Sequence, residues 1–110
     1  MPRKKSTSLI ADILQCGDRI IIYTDGLTFK EFIRDPKTVD AVVRNFQIIG
    51  EAVGRLPRDF KQKHPGIPWK SIRAFRNRIV HNYSGVEQCV WEGREAFLKE
   101  MLAVLRGLGK

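Results

Sequence analysis

Residues 35–56 read Asp35-Pro36-Lys37-Thr38-Val39-Asp40-Ala41-Val42-Val43-Arg44-Asn45-Phe46-Gln47-Ile48-Ile49-Gly50-Glu51-Ala52-Val53-Gly54-Arg55-Leu56. Within this stretch Val39, Val42, Phe46, Ile49, Val53 and Leu56 follow one another at alternating steps of three and four, the period of one apolar helical face sustained for about five turns. The start is equally legible: Asp35 offers a carboxylate to the orphan N–H groups of a helix N-terminus, and Pro36 suits the first helical position because its missing N–H is not needed there. So long an apolar seam is suited to packing against neighbouring helices.

Toward the N-terminus, Leu9, Ile13, Cys16, Ile20 and Tyr23 predict a first helix over 8–23, ended by the turn chemistry of Thr24-Asp25-Gly26. A partial helical turn is expected over 29–33. Toward the C-terminus, Pro57, Pro65, Gly66 and Pro68 interrupt the pattern, and 58–64 is expected as a short helical or irregular connector. Trp69, Ile72, Phe75 and Ile79 mark a third long helix starting near Pro68 and stopped by Ser84-Gly85. A fourth follows with Val90, Phe97, Met101, Val104 and Leu108 on its main face and Glu92, Glu95, Lys99 and Glu100 on the solvated side. No stretch alternates with period two. The expected fold is all-α, an antiparallel four-helix bundle with short extra helical turns, forming a single domain over 1–110.

Composition narrows the function. With 43% hydrophobic and 29% charged residues, the 110-residue chain can fill one core and remain dissolved, which argues against intrinsic disorder. Cys16 and Cys89 are the two cysteines, too few and too far apart for a disulfide framework or a usual zinc site, so the chain is expected in a reducing cytoplasm. The basic start Arg3-Lys4-Lys5 is followed by an apolar stretch broken by Asp12, Gln15, Asp18 and Arg19, unlike a signal peptide, and no run reaches the ~18 apolar residues of a membrane span. The two histidines lack the spacing of a metal-binding helix and there is no glycine-rich phosphate loop. No metal and no cofactor are expected.

The charge is concentrated. Lys and Arg total 20 against 12 Asp and Glu, a net +8. Residues 55–78 hold Arg55, Arg58, Lys61, Lys63, Lys70, Arg73, Arg76 and Arg78 against Asp59 alone, so seven of the eight net charges fall within them. A solvated face is the ordinary explanation of a charge run. An excess of this size without interleaved acids repels itself unless an anion neutralises it, and phosphate is the natural counter-charge, with Phe60, Trp69 or Tyr83 available for base stacking.

The third helix ends in Arg76-Asn77-Arg78-Ile79-Val80-His81-Asn82-Tyr83. At ~100° per residue with Ile72 at zero, Phe75 and Ile79 fall near 300° and 340°, Arg76 near 40° and Tyr83 near 20°, whereas Asn77 and His81 fall near 140° and 180°. Arg76 and Tyr83 thus share the apolar side. A guanidinium there is costly to desolvate unless it finds an anion. It is either paired with a carboxylate such as Glu51, or snorkelling to the rim, or aimed into a cleft. His81, near a helix C-terminus, is either a partner of the helix dipole or a group for proton transfer.

This octapeptide resembles the signature of the HEPN superfamily, an arginine, four residues and a histidine, and more narrowly the HepT-like form with a tyrosine two positions later. Arg76, His81 and Tyr83 match it. The resemblance extends to Asn45-Phe46-Gln47-Ile48-Ile49-Gly50-Glu51-Ala52, to His64-Pro65-Gly66-Ile67-Pro68-Trp69, and to Trp91. It implies a HEPN-type bundle acting as a homodimer: the toxin of a toxin-antitoxin pair, a metal-independent endoribonuclease with Arg76 and His81 as catalytic residues. It further implies an MNT-type nucleotidyltransferase antitoxin that uses ATP to adenylylate Tyr83. Beside these, Asn77 is expected to orient His81, and Arg73, Arg78 and Lys70 to contact flanking phosphates of the RNA. The alternative is a HEPN module that binds RNA or a partner without cutting.

The chemistry is compatible with the residue types. RNA cleavage by its own 2′-hydroxyl needs a base, an acid and a cation for the charge developing on phosphorus. One histidine cannot be base and acid at once, but a two-fold dimer brings two copies together.

Overall fold

The computed structural model describes residues 6–81 and 85–108. Its order is α1 (Ser6–Thr24), α2 (Phe29–Ile33), α3 (Pro36–Arg55), α4 (Arg58–Lys63), α5 (Trp69–His81) and α6 (Val86–Gly93), then a π-helical turn (Arg94–Leu98) that leads without a break into α7 (Lys99–Gly107). The described residues form an all-α helical bundle. α3 lies at its centre, packed along α1 on one side and α5 on the other, and α7 closes back onto α1.

The helix starts follow from local chemistry. Asp35 caps α3, its carboxylate accepting from the Thr38 N–H at 3.3 Å and from the Thr38 hydroxyl at 2.6 Å. Thr28 and Glu31 form a reciprocal capping box on α2, which gives five residues enough local bonding to hold a turn. α1 ends where Gly26 takes φ +74° and α6 begins after Gly85 at φ +76°, a left-handed conformation that glycine adopts without a Cβ clash.

All six seam residues of α3, from Val39 to Leu56, are buried. They meet Leu9, Ile13, Cys16 and Ile20 of α1 and Ile72, Phe75 and Ile79 of α5 in one core. Phe46, Phe75 and Phe97 form an edge-on aromatic cluster, with centroids 4.9 Å apart between Phe46 and Phe75 and 5.2 Å between Phe75 and Phe97. This cluster ties α5 to α3 and to the π turn. Gly93 makes room for it, since a Cβ there would stand 2.7 Å from Phe75 Cζ.

Two expectations are corrected. Tyr23 is 41% exposed, and Thr24 takes the buried position at the end of the α1 stripe. A step of four from Ile20 keeps the face better than a step of three, and the Thr24 hydroxyl donates to the Ile20 carbonyl at 2.8 Å, so its burial leaves no donor unmatched. On the last helix Val104 and Leu108 are each 39% exposed, while Leu98, Met101, Leu102 and Leu105 are buried. The wider π turn inserts extra chain into the helix and rotates everything after it, so a constant α period carried forward from Val90 picks the wrong face.

Candidate active site

α5 carries the residues to which the sequence points, and its placement begins with Gly50. A Cβ on Gly50 would fall inside the van der Waals envelope of Arg76 Cβ and Cγ. The absence of a side chain lets the Arg76 stem lie across the back of α3. The guanidinium then emerges beside Glu51, with Nη2 3.9 Å from Oε1, and Nη1 donates to Asn77 Oδ1 at 3.3 Å. The Arg76 side chain is 32% exposed and that of Glu51 45%. At that distance and exposure the ion pair contributes less than about 1 kcal/mol. Its Nε is buried and has no hydrogen-bond partner among the described residues. The arginine is therefore both paired and aimed into a cleft: two of the three readings open from sequence are combined.

The cleft has a volume of about 240 Å³ and is lined by Gly50, Glu51, Gly54, Arg55, Arg73, Arg76 and Asn77. Two glycines give it a backbone floor and three arginines a positive rim. α4 closes one end. The Trp69 indole N–H donates to the carbonyls of Lys61 and His64 at 3.1 and 3.0 Å, and Phe60 stands between the rings of His64 and Trp69 at 4.8 and 6.3 Å. α4 is thereby fastened to the start of α5. Burial holds the Lys61 ammonium below the usual lysine value, and the Arg73 guanidinium pushes it the same way.

The other expected residues are distributed as follows. His81 is exposed and is the last residue of α5. Because α5 is α-helical through that position, no local distortion turns His81 toward Arg76. The imidazole instead shares the polar face of Lys70, Arg73 and Asn77, and stands one turn, about 6 Å, beyond Asn77. Asn77 spends its side-chain oxygen on Arg76. Arg73 lines the cleft. Lys70 and Arg78 are exposed. Arg78 faces away from the cleft, toward Cys89: burial raises the Cys89 thiol above its ordinary range, and the Arg78 guanidinium opposes that rise. Tyr83 lies outside the described residues. Among the described residues no group of three or more His, Cys, Asp and Glu side chains is placed to hold a metal ion, and no helix is long and apolar enough to cross a membrane.

Three cleft residues were not singled out from sequence. Gly50 and Gly54 enter the sequence reading only as members of the long helical stretch and its matching segment, and Arg55 only as one of the charges. The usable signal was a pair of glycines four apart on a long helix with an arginine after the second.

A family model described as HepT-like, ribonuclease HepT-like, matches residues 13–106. This chain belongs to the HepT-like ribonuclease family. It is 41% identical over 93 residues to a Methanocaldococcus jannaschii protein named as a candidate RNase, covering 84% of this chain and 77% of that one. A candidate RNase of Caldanaerobacter subterraneus subsp. tengcongensis is 41% identical over 90 residues, 81% of this chain and 78% of its own. "Probable ribonuclease HepT" of Thermococcus cleftensis is 34% identical over 106 residues, 96% of this chain and 93% of its own. No solved structure matches the HepT-like chain significantly.

Proposed function

We propose that this HepT-like protein is a metal-independent endoribonuclease and the toxin of a toxin-antitoxin pair. The observation that carries the proposal is the Arg76 guanidinium. Its stem is laid across Gly50 and carries it into a cleft rimmed by Arg55 and Arg73, the environment in which a fixed cation stabilises charge developing on a phosphate.

In this mechanism a 2′-hydroxyl loses its proton to an imidazole and its oxygen attacks the adjacent phosphorus. The bond to the 5′-oxygen breaks, and that oxygen takes a proton from a second imidazole. The products are a 2′,3′-cyclic phosphate and a free 5′-hydroxyl. His81 serves as the imidazole, and two copies in a homodimer supply both base and acid. A dimeric arrangement suits the geometry, because His81 and Arg76 of one chain point about 140° apart around α5. Asn77, the next residue along α5, accepts from the guanidinium through its side-chain oxygen.

Regulation in this reading acts through Tyr83. An MNT-type nucleotidyltransferase, as antitoxin, transfers adenylyl groups from ATP to the tyrosine hydroxyl in the cytoplasm, and the added negative charge repels RNA from the basic cleft. A second reading, a HEPN module that binds RNA without cutting it, is favoured by the Arg76–Glu51 pairing.

Intact-mass measurement to establish unmodified protein, followed by RNA cleavage with excess chelator, separates the two. Wild-type cleavage that survives chelator, ends in 2′,3′-cyclic phosphate and is lost in His81→Ala is the expected result. Binding without cleavage by unmodified, folded dimer across several RNA classes selects the second reading.

A further inference from the structure

The site described above assigns Arg76 to the reacting phosphate, and does not say what the neighbouring cations Arg55, Arg73 and Lys61 hold together. Arg55, in the last turn of α3, and Arg73, one turn before Arg76 on α5, both line the cleft wall. Lys61 of α4 is close enough to Arg73 for the two like charges to disfavour each other. Glu51 is the one acidic side chain on the cleft wall, and it stands beside Arg76. Asp59 is the one acid on α4, where it is exposed in the first turn. None of the salt bridges found among the described residues involves Arg55, Lys61 or Arg73.

Such an arrangement is unfavourable in the free protein. Arg55 and Arg73 face one cleft from two helices, and the partly desolvated Lys61 approaches Arg73 from a third. The helices are not free to separate and relieve the repulsion, because Trp69 bonds the carbonyls of Lys61 and His64 at the end of α4 and Arg76 lies on Gly50 of α3. A rigid group of unneutralised cations over a floor of glycine backbone is a preorganised anion receptor. Arg73 precedes Arg76 by three residues, a rise of about 4.5 Å along α5, so the two guanidinium groups address different anions on one ligand.

We infer that Arg55 and Arg73 form a second phosphate-binding subsite, which takes the phosphate next to the one held by Arg76 in single-stranded RNA. The inference rests on the ribonuclease reading for the identity of the ligand and adds to it a direction. The strand runs from the Arg76 position toward α4, on the side away from His81, and the two phosphates together fix its register before any bond is broken.

The test uses the full-length protein and a fluorescent single-stranded 2′-O-methyl oligoribonucleotide, which cannot be cut by 2′-hydroxyl attack, so binding is read apart from catalysis. Anisotropy titrations across a salt series give the slope of log K against log salt, which carries about 0.7 for each phosphate neutralised on a single strand. Arg55→Gln/Arg73→Gln removes two exposed side chains and is expected to lower the slope by about 0.7. It should weaken binding at least tenfold at low salt, and Arg55→Lys/Arg73→Lys should restore most of the slope. Lys30→Gln/Lys37→Gln, with the same loss of net charge on α2 and the start of α3, is expected to leave the slope unchanged. Equal losses in the two Gln pairs mean a diffuse field and overturn the subsite, as does an unchanged slope in Arg55→Gln/Arg73→Gln with Arg76→Gln lowering it. A wild-type protein that cuts no RNA yet shows the predicted difference between the pairs overturns the ribonuclease reading and supports the subsite.

Discussion

Gly50 of α3 lies directly beneath the side-chain stem of Arg76 of α5, and a methyl group on Gly50 would overlap Arg76 Cβ and Cγ. Those atoms are anchored to the α5 backbone, so the clash is not relieved by swinging the guanidinium aside. Gly50→Ala must push α5 from α3 or force Arg76 into another rotamer. The expected cost is about 1–3 kcal/mol of stability, with a further fall of about 100-fold in RNA cleavage if the guanidinium shifts by ~1 Å. Thermal melting together with single-turnover cleavage checks both. Gly54 lines the same cleft but has nothing within 4 Å of a built Cβ. Gly54→Ala is therefore expected to stabilise α3 by up to about 1 kcal/mol through helix propensity. Equal destabilisation by both substitutions would remove the steric account of Arg76 placement.

Trp69 is the joint between α4 and α5. Trp69→Phe keeps most of the ring but deletes the N–H that reaches the Lys61 and His64 carbonyls. A loss of about 1 kcal/mol is expected, the net worth of one hydrogen bond. Hydrogen exchange of the α4 amides should quicken more than that of α3, because α4 has no buried residue of its own to hold it. Uniform acceleration throughout the chain would show that the indole supports the core and not the joint.

The sequence was most readable where one local rule governs one segment. Asp35-Pro36 and the seam from Val39 to Leu56 specify α3 completely, because capping and period are properties of that stretch alone. The angular position of Arg76 was likewise visible, since α5 is regular and its apolar face is unambiguous. The phase of the last helix was not visible: nothing in Arg94 to Leu98 declares a π turn, which arises from packing Gly93 and Phe97 against Phe75. The members of the cleft were hidden for a related reason. Arg73 was expected to contact flanking phosphates, but Arg55 was counted only as a charge, and it is the packing of α3 on α5 that makes the two neighbours on one cleft wall.

The caps make α2 and α3 sensitive to acid. Thr28 holds the Glu31 carboxyl below the usual carboxylate range through its backbone and side chain, and Thr38 does the same for Asp35. A carboxylate whose folded pKa is depressed stabilises the native state above its unfolded pKa and loses that contribution as pH falls through the folded one. Unfolding free energy should therefore decline as pH drops below the ordinary carboxylate range. Asp35→Asn keeps a good N-cap acceptor and should leave stability near neutral pH little changed while flattening the acid limb. Denaturant unfolding of both proteins over a pH series checks this, and parallel acid limbs would exclude Asp35 as a source of the dependence.

Glu51 offers the sharpest separation between holding Arg76 and merely standing near it. The pair is 3.9 Å long and both side chains reach solvent, so screening leaves it worth less than about 1 kcal/mol. The rigid contact with Gly50 is what fixes the guanidinium. Glu51→Gln should accordingly shift stability by less than about 1 kcal/mol and leave kcat for RNA cleavage within about threefold of wild type. Binding should respond in the opposite sense to the loss of a helpful group. The carboxylate is the one negative charge on a cleft wall that otherwise presents arginines, and removing it eases the approach of phosphate, so KM is expected to fall, most clearly at low salt where screening is weakest. A large drop in kcat with KM unchanged would reverse the assignment. Glu51 would then be the positioning residue that aims Arg76, and Gly50 only the space in which it is aimed.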